Sequence, residues 1–312
     1  MKKILGLILF LVICTRGWAQ EESAKALVNA KFLFDIKGDA AQRITFNQPA
    51  GIDVDGQGNI FLADTVNSRV VVLDDTGKVN FMFGKLGAGE GDLNAPMALS
   101  VDSSKGLLYV ADSSNNRVQV FKTDGAFVKT IDLNQDASKK NPRPIGIAVN
   151  KEGNIYVADA DNNLVRVFSA QGKPLFKFGG FGAGDGQLCV PVGIDVDEQN
   201  KVYVVDMNNS RVQIFDSDGK FLLKMGSAGD AKGNFGRPKD VVVDKKGNIF
   251  VSDGASLVVQ IFDKQGAFLN VIGAEKEEIL QFAAPFGLAI NNNYLYVTDR
   301  WRNSIRVFDI SY

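Results

Sequence analysis

Six aspartates recur along the chain at nearly constant spacing, 46 to 48 residues apart. They are Asp64, Asp112, Asp159, Asp206, Asp253 and Asp299. A metal site could be built from such acids, because hard cations bind where several carboxylate oxygens converge. These acids, however, occupy equivalent positions in separate segments, and Arg69, Arg117 and Arg211 follow three of them by five residues. The regularity therefore favours a structural role, in which each carboxylate accepts hydrogen bonds in its own turn.

Histidine, which many catalytic and metal sites use, is missing from the chain. The 312 residues include no histidine, which excludes Ser-His-Asp catalysis, histidine-ligated metals and imidazole acid–base chemistry. The two cysteines, Cys14 and Cys189, do not form a C-x-x-C-H haem-attachment motif. We therefore expect no metal, no cofactor and no catalytic residues, which favours a protein that is not an enzyme.

The aspartates belong to six longer repeats, each of which begins at a proline. The prolines are Pro49, Pro96, Pro144, Pro191, Pro238 and Pro285. A fixed period of this size indicates a repeat architecture. Each repeat contains four runs rich in Val, Ile, Phe and Tyr, separated by Gly, Asn and Asp, and this pattern predicts four short strands. Four-stranded units repeated radially are typical of a β-propeller.

The repeats carry a specific motif. The second repeat reads YVAD at 109–112 and NNRVQVF at 115–121, and the third reads GNIYVAD at 153–159. This pattern resembles the NHL repeat over nearly the whole chain after the N-terminal leader. The resemblance implies an all-β, six-bladed β-propeller of four-stranded antiparallel blades over residues 31–312. Peptide-amidating lyases are also NHL-type propellers, but their metal site needs histidines, so the resemblance implies that this chain lacks their activity.

Spacing also predicts how the ring closes. The last strand of five repeats ends in an apolar residue 13 positions before the next proline, as at Phe83 and Ile131. The same count back from the first proline reaches Ile36, whereas the final repeat stops after its third strand near Asp309. We therefore expect the N-terminal strand to complete the last blade, which would leave no unpaired edge.

The N-terminus has the pattern of an export signal. Lys2 and Lys3 precede an apolar run over 4–13, and small residues at Gly17 and Ala19 fit a cleavage site. We expect a signal peptide over 1–19, an N-terminal segment over 20–30, and a periplasmic or secreted bacterial protein. A lipoprotein leader ending before Cys14 is the alternative. The run over 4–13 is too short for a membrane span, and no other apolar stretch approaches the necessary length.

The charge balance argues against nucleic acid as a partner. The chain has 35 basic and 36 acidic residues, and removal of 1–19 would leave 32 basic residues against 36 acidic ones. Nucleic-acid binding relies on a clustered positive surface, which a mildly acidic chain does not predict.

Positions at which the repeats differ are better candidates for binding. In a four-stranded blade, the turn between the second and third strands emerges on the same side as the segment between blades. The residues following the prolines should lie at the channel mouth on that side, and most are apolar. Lys239 and Asp240 break the P-x-G pattern and place two charges where most repeats keep glycine, and Arg300-Trp301-Arg302 replaces a small polar turn. The candidate binding residues are Met97, Lys239, Asp240, Phe286, Arg300, Trp301 and Arg302.

Three functions fit this pattern. The first is a non-enzymatic scaffold that holds another extracytoplasmic protein on its loops, using the Trp and Arg residues typical of binding hot spots. The second is a calcium-dependent hydrolase or lactonase with carboxylates in the channel. At the fourth position after the proline, two repeats have an acid, Asp53 or Asp195. The other four repeats have apolar or small residues there, so the pattern does not predict a calcium cage. The third is a sensor or carrier of a small ligand at the apolar mouth.

Overall fold

A computed structural model describes residues 28–134, 141–273 and 281–312 of the chain. In these residues, strands form six four-stranded antiparallel sheets and one small hairpin. The sheets are the blades of a six-bladed β-propeller, as the repeat pattern predicts. The expected signal peptide and most of the expected N-terminal segment lie outside the described residues.

The strands of each blade run in order from the channel outwards. Blade 1 comprises Ile52–Val54, Ile60–Asp64, Arg69–Leu73 and Val79–Phe83; blade 2 comprises Pro96–Asp102, Leu107–Asp112, Arg117–Lys122 and Phe127–Asp132; blade 3 comprises Pro144–Val149, Ile155–Asp159, Leu164–Phe168 and Pro174–Gly179. Blade 4 comprises Pro191–Val196, Val202–Asp206, Arg211–Phe215 and Phe221–Met225; blade 5 comprises Pro238–Val243, Ile249–Asp253, Val258–Phe262 and Phe268–Ile272; blade 6 comprises Pro285–Asn291, Tyr294–Asp299, Ser304–Ser311 and Asn29–Ile36.

Three short elements complete the described structure. Gly38–Asp39 and Ile44–Thr45 pair as a hairpin between the N-terminal strand and blade 1. Single 3-10 turns at Ser113–Asn115 and Met207–Asn209 follow the second strands of blades 2 and 4.

Burial decreases from the second strand of a blade to the outermost one. All five residues of Ile60–Asp64 are buried, whereas buried or partly buried residues alternate with exposed ones along Val79–Phe83. A strand sandwiched between two neighbouring blades needs apolar residues on both faces. An outer strand packs on one face only, so its sequence alternates. The core consequently lies between blades, as a series of apolar clusters around the ring.

Close packing around the channel explains the glycine found two positions after most of the prolines. A Cβ atom at Gly51, Gly146, Gly193 or Gly287 would collide with the backbone of the next blade's first strand. First strands of adjacent blades contact each other around the whole ring, including blades 6 and 1. The missing side chain therefore permits the approach between blades.

Closure follows the predicted pattern. Asn29–Ile36, which we call the closing strand, pairs antiparallel with Ser304–Ser311, from Asn29 opposite Ser311 to Ile36 opposite Ile305. The first part of the chain thus supplies the outer strand of the last blade. This joint holds the ring together without a covalent link.

Candidate functional site

One side of the ring is built from the turns between second and third strands together with the segments that join successive blades. We call this side the loop face. In blade 2, the backbone N–H of Ser114 donates to the Asn94 carbonyl at 3.1 Å, and the Asn115 side chain donates to the Gly87 carbonyl at 2.8 Å. The Asn209 side chain contacts Gly182 in the same way. The two kinds of loop therefore form a single surface.

A buried aspartate at the end of each second strand fixes this surface. In blade 4, the Asp206 carboxylate accepts hydrogen bonds from the Cys189 backbone N–H at 2.6 Å and from the Asn209 Nδ2 at 2.8 Å. The Nε of Arg211 also donates to it at 2.8 Å, and both charged side chains are buried. The carboxylate thus joins the incoming segment, the turn and the third strand.

The basic partner of this aspartate varies between blades. Arg69 and Arg117 lie five positions after their aspartates and donate at 2.8 Å, as the spacing predicts. In blade 3 the partner is Arg166, seven positions after its aspartate and also at 2.8 Å. Residues two apart on a strand share a face, so positions five and seven both reach the carboxylate. In blade 6, Arg302 lies three positions on, with its Nε 3.5 Å from the carboxylate.

The mouth of the channel combines apolar side chains with two cations. Met97, Lys239 and Phe286 are partly exposed there, whereas Ile145 and Val192 are buried against neighbouring blades. The channel beneath them is a cavity of about 290 Å³. Of the residues predicted from sequence, Met97, Lys239, Asp240 and Phe286 line this cavity. Fewer apolar side chains are therefore available at the mouth than the sequence suggests, since Ile145 and Val192 pack between blades.

Two cationic side chains lie close to the ring of Phe286. The Cζ of Arg300 is 5.0 Å from the centre of the ring, and the Nζ of Lys239 is 6.0 Å from it. Arg300 also donates a hydrogen bond to the side-chain oxygen of Gln48 at 3.0 Å. Burial, reinforced by the charges of Arg237 and Arg300, lowers the pKa of Lys239 to about 8. Positive charge is therefore concentrated at the junction of blades 5 and 6.

The three side chains of the Arg300-Trp301-Arg302 turn lie in different environments. Arg300 points towards Phe286, as described above. Trp301 is 76% exposed, whereas Arg302 is partly buried beside Asp299. Arg302 therefore occupies the place of the asparagine that contacts the aspartate in blades 1 to 4. Of the three side chains, Trp301 is the one presented outright to solvent.

Lys239 and Asp240 are neighbours in sequence, but their side chains lie in different environments. Successive side chains on a strand point to opposite faces. The carboxylate of Asp240 accepts the backbone N–H groups of Val241 at 3.0 Å and Leu288 at 2.9 Å. Lys239 instead extends over Phe286 at the mouth. Asp240 belongs to the channel wall, and Lys239 belongs to the loop face.

Asp240 acts together with the two channel acids identified from sequence. Each of the three carboxylates accepts the N–H of a residue in the next blade, 48 positions later in the chain. Asp53 bonds Val101 at 2.8 Å, and Asp195 bonds Val243 at 2.8 Å. The contact between Asp240 and blade 6 is the third of this kind. These acids link blades 1 and 2, 4 and 5, and 5 and 6. Sequence reasoning named Asp240 as a binding candidate but missed its contact with the next blade, because it stands where most repeats have glycine.

The channel acids hold protons more tightly than ordinary aspartates. Burial raises the pKa of Asp53 and of Asp240 to about 7, and that of Asp195 to about 6. Backbone hydrogen bonds act in the opposite direction, and repulsion between neighbouring carboxylates adds to the rise. The oxygens of each channel carboxylate already accept backbone N–H groups. These acids therefore stabilise the contacts between blades.

This cluster predicts a specific pH dependence of stability. A carboxyl group with a raised pKa in the folded state stabilises the protein fully below its unfolded pKa, near 3.8. That stabilisation is lost as the pH rises through the folded-state values of about 6 to 7. We therefore expect the free energy of unfolding, measured with urea, to decrease between pH 4.5 and 8.

Asp240→Asn provides the check, because it removes one titration and keeps an acceptor for Leu288. The decrease should become smaller in this variant. Histidine, absent from the chain, cannot contribute in this range, and Lys239 has the opposite sign above pH 8. Equal slopes for the variant and the original protein would contradict the assignment.

Within 28–134, 141–273 and 281–312, no group of three His, Cys, Asp or Glu side chains is arranged to hold a metal ion. In the same ranges, no helix has the length and apolar character needed to cross a membrane.

Comparison with known proteins identifies the repeats. A family model described as "NHL repeat" matches residues 46–73, 93–121 and 142–168. A second, described as "6-bladed beta-propeller", matches residues 198–256. Both matches agree with the architecture of the ring.

Curated relatives share segments of the chain. Protein brain tumor of Drosophila melanogaster is 29% identical over 109 residues, which are 35% of this chain and 10% of the relative. NHL repeat-containing protein 3 of Homo sapiens is 32% identical over 91 residues, which are 28% of this chain and 26% of the relative. The matches thus span about a quarter or less of these relatives.

A solved structure shares the whole fold. It is the catalytically inactive histidine-to-alanine variant of virginiamycin B lyase from Staphylococcus aureus with quinupristin, at a TM-score of 0.63 and 11% identity. The match covers 86% of this chain and 82% of the lyase. At this identity, the likeness concerns the fold alone.

Proposed function

Because the chain contains NHL repeats and folds as a six-bladed β-propeller, we propose that it is a non-enzymatic scaffold that holds a protein partner on its loop face. The scaffold acts outside the cytoplasm, after removal of residues 1–19. The repeats supply a rigid ring whose turns are fixed from within by the buried aspartates. A rigid surface of this kind suits recognition, because few groups need to be ordered when a partner binds.

The exposure of Trp301 carries the proposal. The indole is 76% exposed and makes no hydrogen bond or ring contact with other described residues. The equivalent turns of the other blades have small, polar or aliphatic residues, so the fold does not require an indole there. Tryptophan is among the residues most enriched at the energetic centres of protein interfaces.

Two further large apolar side chains are exposed on the same face. Leu86 and Phe181, in the segments that precede blades 2 and 4, are 71% and 75% exposed. Both segments share hydrogen bonds with turns of the loop face. Exposed apolar groups rimmed by polar residues are a feature of protein interaction surfaces.

Binding is better supported than catalysis. The channel carboxylates are engaged by backbone N–H groups of adjacent blades. Virginiamycin B lyase is inactivated when a histidine is exchanged for alanine, and this chain has no histidine. The shared fold therefore does not favour a shared activity.

Export is the part of the proposal that rests on the leader. A basic pair, an apolar run and small residues before Gln20 are the pattern of a cleaved signal peptide. The mass of the protein recovered from the bacterial envelope or medium should correspond to a chain beginning at Gln20. A lipid-modified chain beginning at Cys14 would replace this prediction with the lipoprotein alternative.

Trp301→Ala should separate binding from folding. We expect the variant to lose about 1 kcal/mol or less of stability, because the side chain is exposed. Capture of the partner from extracts of the producing cells should weaken by roughly 2 kcal/mol or more, which is the scale of a hot-spot aromatic. Capture is measured by affinity purification and mass spectrometry, with and without EDTA.

Tyr294→Ala is the matched control. Tyr294 belongs to the same blade, is 44% exposed and lies at the opposite end of the second strand from the loop face. Capture should survive this change. If both variants retain the partner, or if capture requires a chelatable metal, the scaffold proposal in this form is wrong.

A further inference from the structure

Three cations meet at the loop face between blades 5 and 6 without a carboxylate to balance them. They are Arg237, Lys239 and Arg300, and we call them the cation cluster. None of the three forms an ion pair with a described residue. Their mutual proximity is evident at Lys239, where the charges of both arginines oppose protonation. The fold therefore concentrates positive charge here, and no ion pair among the described residues neutralises it.

The polar groups of the cluster are also incompletely satisfied. The Nε of Arg300 is buried and has no hydrogen-bond partner among the described residues. The nearest acceptor recorded for the Lys239 Nζ is the thioether sulfur of Met207, at 3.6 Å. A thioether is a weak acceptor, and a buried donor without a partner is costly. A ligand with strong oxygen acceptors would give the Lys239 ammonium the partner that it lacks.

Asp253 does not neutralise the cluster, although its charge favours protonation of Lys239. Its two carboxylate oxygens accept backbone N–H groups of its own turn and of the preceding segment, including those of Gly236 and Arg237. These bonds hold the carboxylate within the blade. Its position is therefore set by the fold, and the cations remain available at the surface.

We propose that the cation cluster, with Phe286 as its apolar floor, recognises an acidic segment of the protein partner through a Glu or Asp carboxylate beside an apolar residue. The inference rests on the proposed scaffold function and names the chemistry of its partner. Arg and Lys bind carboxylates through charge-assisted hydrogen bonds, which are stronger than neutral ones. Phe286 and Met97 provide apolar contact for the neighbouring side chain at the mouth.

The distribution of charge favours a short acidic segment over a nucleic acid. The cluster is compact, whereas binding along a phosphate backbone needs an extended positive surface. The same cavity is lined by the acids Asp53, Asp195 and Asp240, and the ionised fraction of these groups disfavours a polyanion that enters the channel. One or two carboxylates can sit on the cations at the rim without approaching these acids.

A blocked synthetic peptide with two glutamates flanking a phenylalanine tests the proposal. Its binding to the full mature protein is measured by calorimetry at low and high salt, beside the same peptide with glutamines and a single-stranded RNA ten-mer. We expect the glutamate peptide to bind roughly tenfold or more tightly than the glutamine peptide, because charged hydrogen-bond partners contribute more than neutral ones. Its affinity should fall as salt is raised.

Variants locate the site. Lys239→Met and Arg300→Gln should each weaken binding of the glutamate peptide roughly tenfold, since each removes a charged donor. Lys264→Met is the control, because Lys264 is an exposed lysine of the same blade in the turn between its third and fourth strands, on the opposite side of the ring. Circular dichroism melting curves confirm that each variant is folded.

Each outcome bears on the proposal. Equal affinity for the glutamate and glutamine peptides, equal loss in the Lys264→Met control, or tighter binding of RNA than of the acidic peptide would overturn it. Partner capture that depends on Trp301 but not on Lys239 would leave the scaffold function standing and refute this inference alone. Binding of the peptide without capture of any partner would refute the scaffold function and leave the cation cluster as a site for carboxylates.

Discussion

Removal of the closing strand, residues 29–36, is expected to leave a protein that cannot maintain the closed ring. The strand pairs along its length with Ser304–Ser311, the third strand of blade 6. Its Ile36 side chain is buried at the turn that contains Gly77 in blade 1. The strand therefore joins the two ends of the ring, and its loss exposes a strand edge that can pair with other chains.

The expected size of the effect follows from what the strand contacts. Burial of Ile36 contributes roughly 1.5–3 kcal/mol, and the partly buried Phe32, whose ring packs 5.6 Å from that of Phe308, contributes less. Asp35 is an ion-pair partner of Arg306, which is fully buried, and removal of one member of a buried pair costs about 3–5 kcal/mol. These losses together approach the total stability of an ordinary domain, about 5–15 kcal/mol.

Thermal unfolding and gel filtration of the deletion variant measure this effect. Point variants measure the contributions of single side chains to the stability. Ile36→Ala should lose about 2–5 kcal/mol, as buried isoleucine truncations do. Phe34→Ala is the control, because Phe34 is 41% exposed on the same strand and should change stability by about 1 kcal/mol or less. A deletion variant that melts like the mature protein would show that closure does not depend on this strand.

The ring could be predicted from sequence because each repeat carries its own local information. Turn residues and apolar runs mark four strands in every repeat, and the period fixes how many blades there are. Closure was predictable for the same reason: the third strand of the last repeat needs an outer strand, and the run that ends at Ile36 lies at the spacing expected of one. Local patterns and a count of strands were sufficient for both.

The candidate site was less predictable because it depends on residues one repeat apart. Lys239 and Asp240 are neighbours in sequence, but they face different environments. The role of Asp240 depends on the distance between adjacent first strands, which the sequence of one blade does not contain. Likewise, Arg300 meets Phe286 only because the ring brings a turn of blade 6 beside its first strand. Contacts of this kind follow from tertiary geometry.

The buried aspartates predict the second large effect. Asp206→Ala should destabilise the protein by about 3–5 kcal/mol, because it leaves the buried guanidinium of Arg211 without its carboxylate. The backbone N–H of Cys189 and the Asn209 side chain lose an acceptor at the same time. In a domain of this size, the melting temperature should fall by roughly ten degrees.

Asp253→Ala is the matched comparison. Asp253 occupies the same position in blade 5 and accepts several backbone N–H groups, but no arginine is recorded as its ion-pair partner among the described residues. Its truncation should therefore cost about 1–3 kcal/mol, the penalty for unsatisfied buried donors. The difference between the two variants isolates the cost of the unpaired buried cation.

The double variant Asp206→Ala with Arg211→Met completes the test. Removing both charges eliminates the unpaired guanidinium and keeps the apolar length of the side chain, so part of the lost stability should return. Calorimetric melting of the three variants measures this recovery. If the double variant is less stable than Asp206→Ala alone, Arg211 stabilises blade 4 through its contacts with the Gly184 and Gln187 carbonyls rather than through the carboxylate. Recovery would instead show that most of the loss in Asp206→Ala comes from the unpaired guanidinium of Arg211.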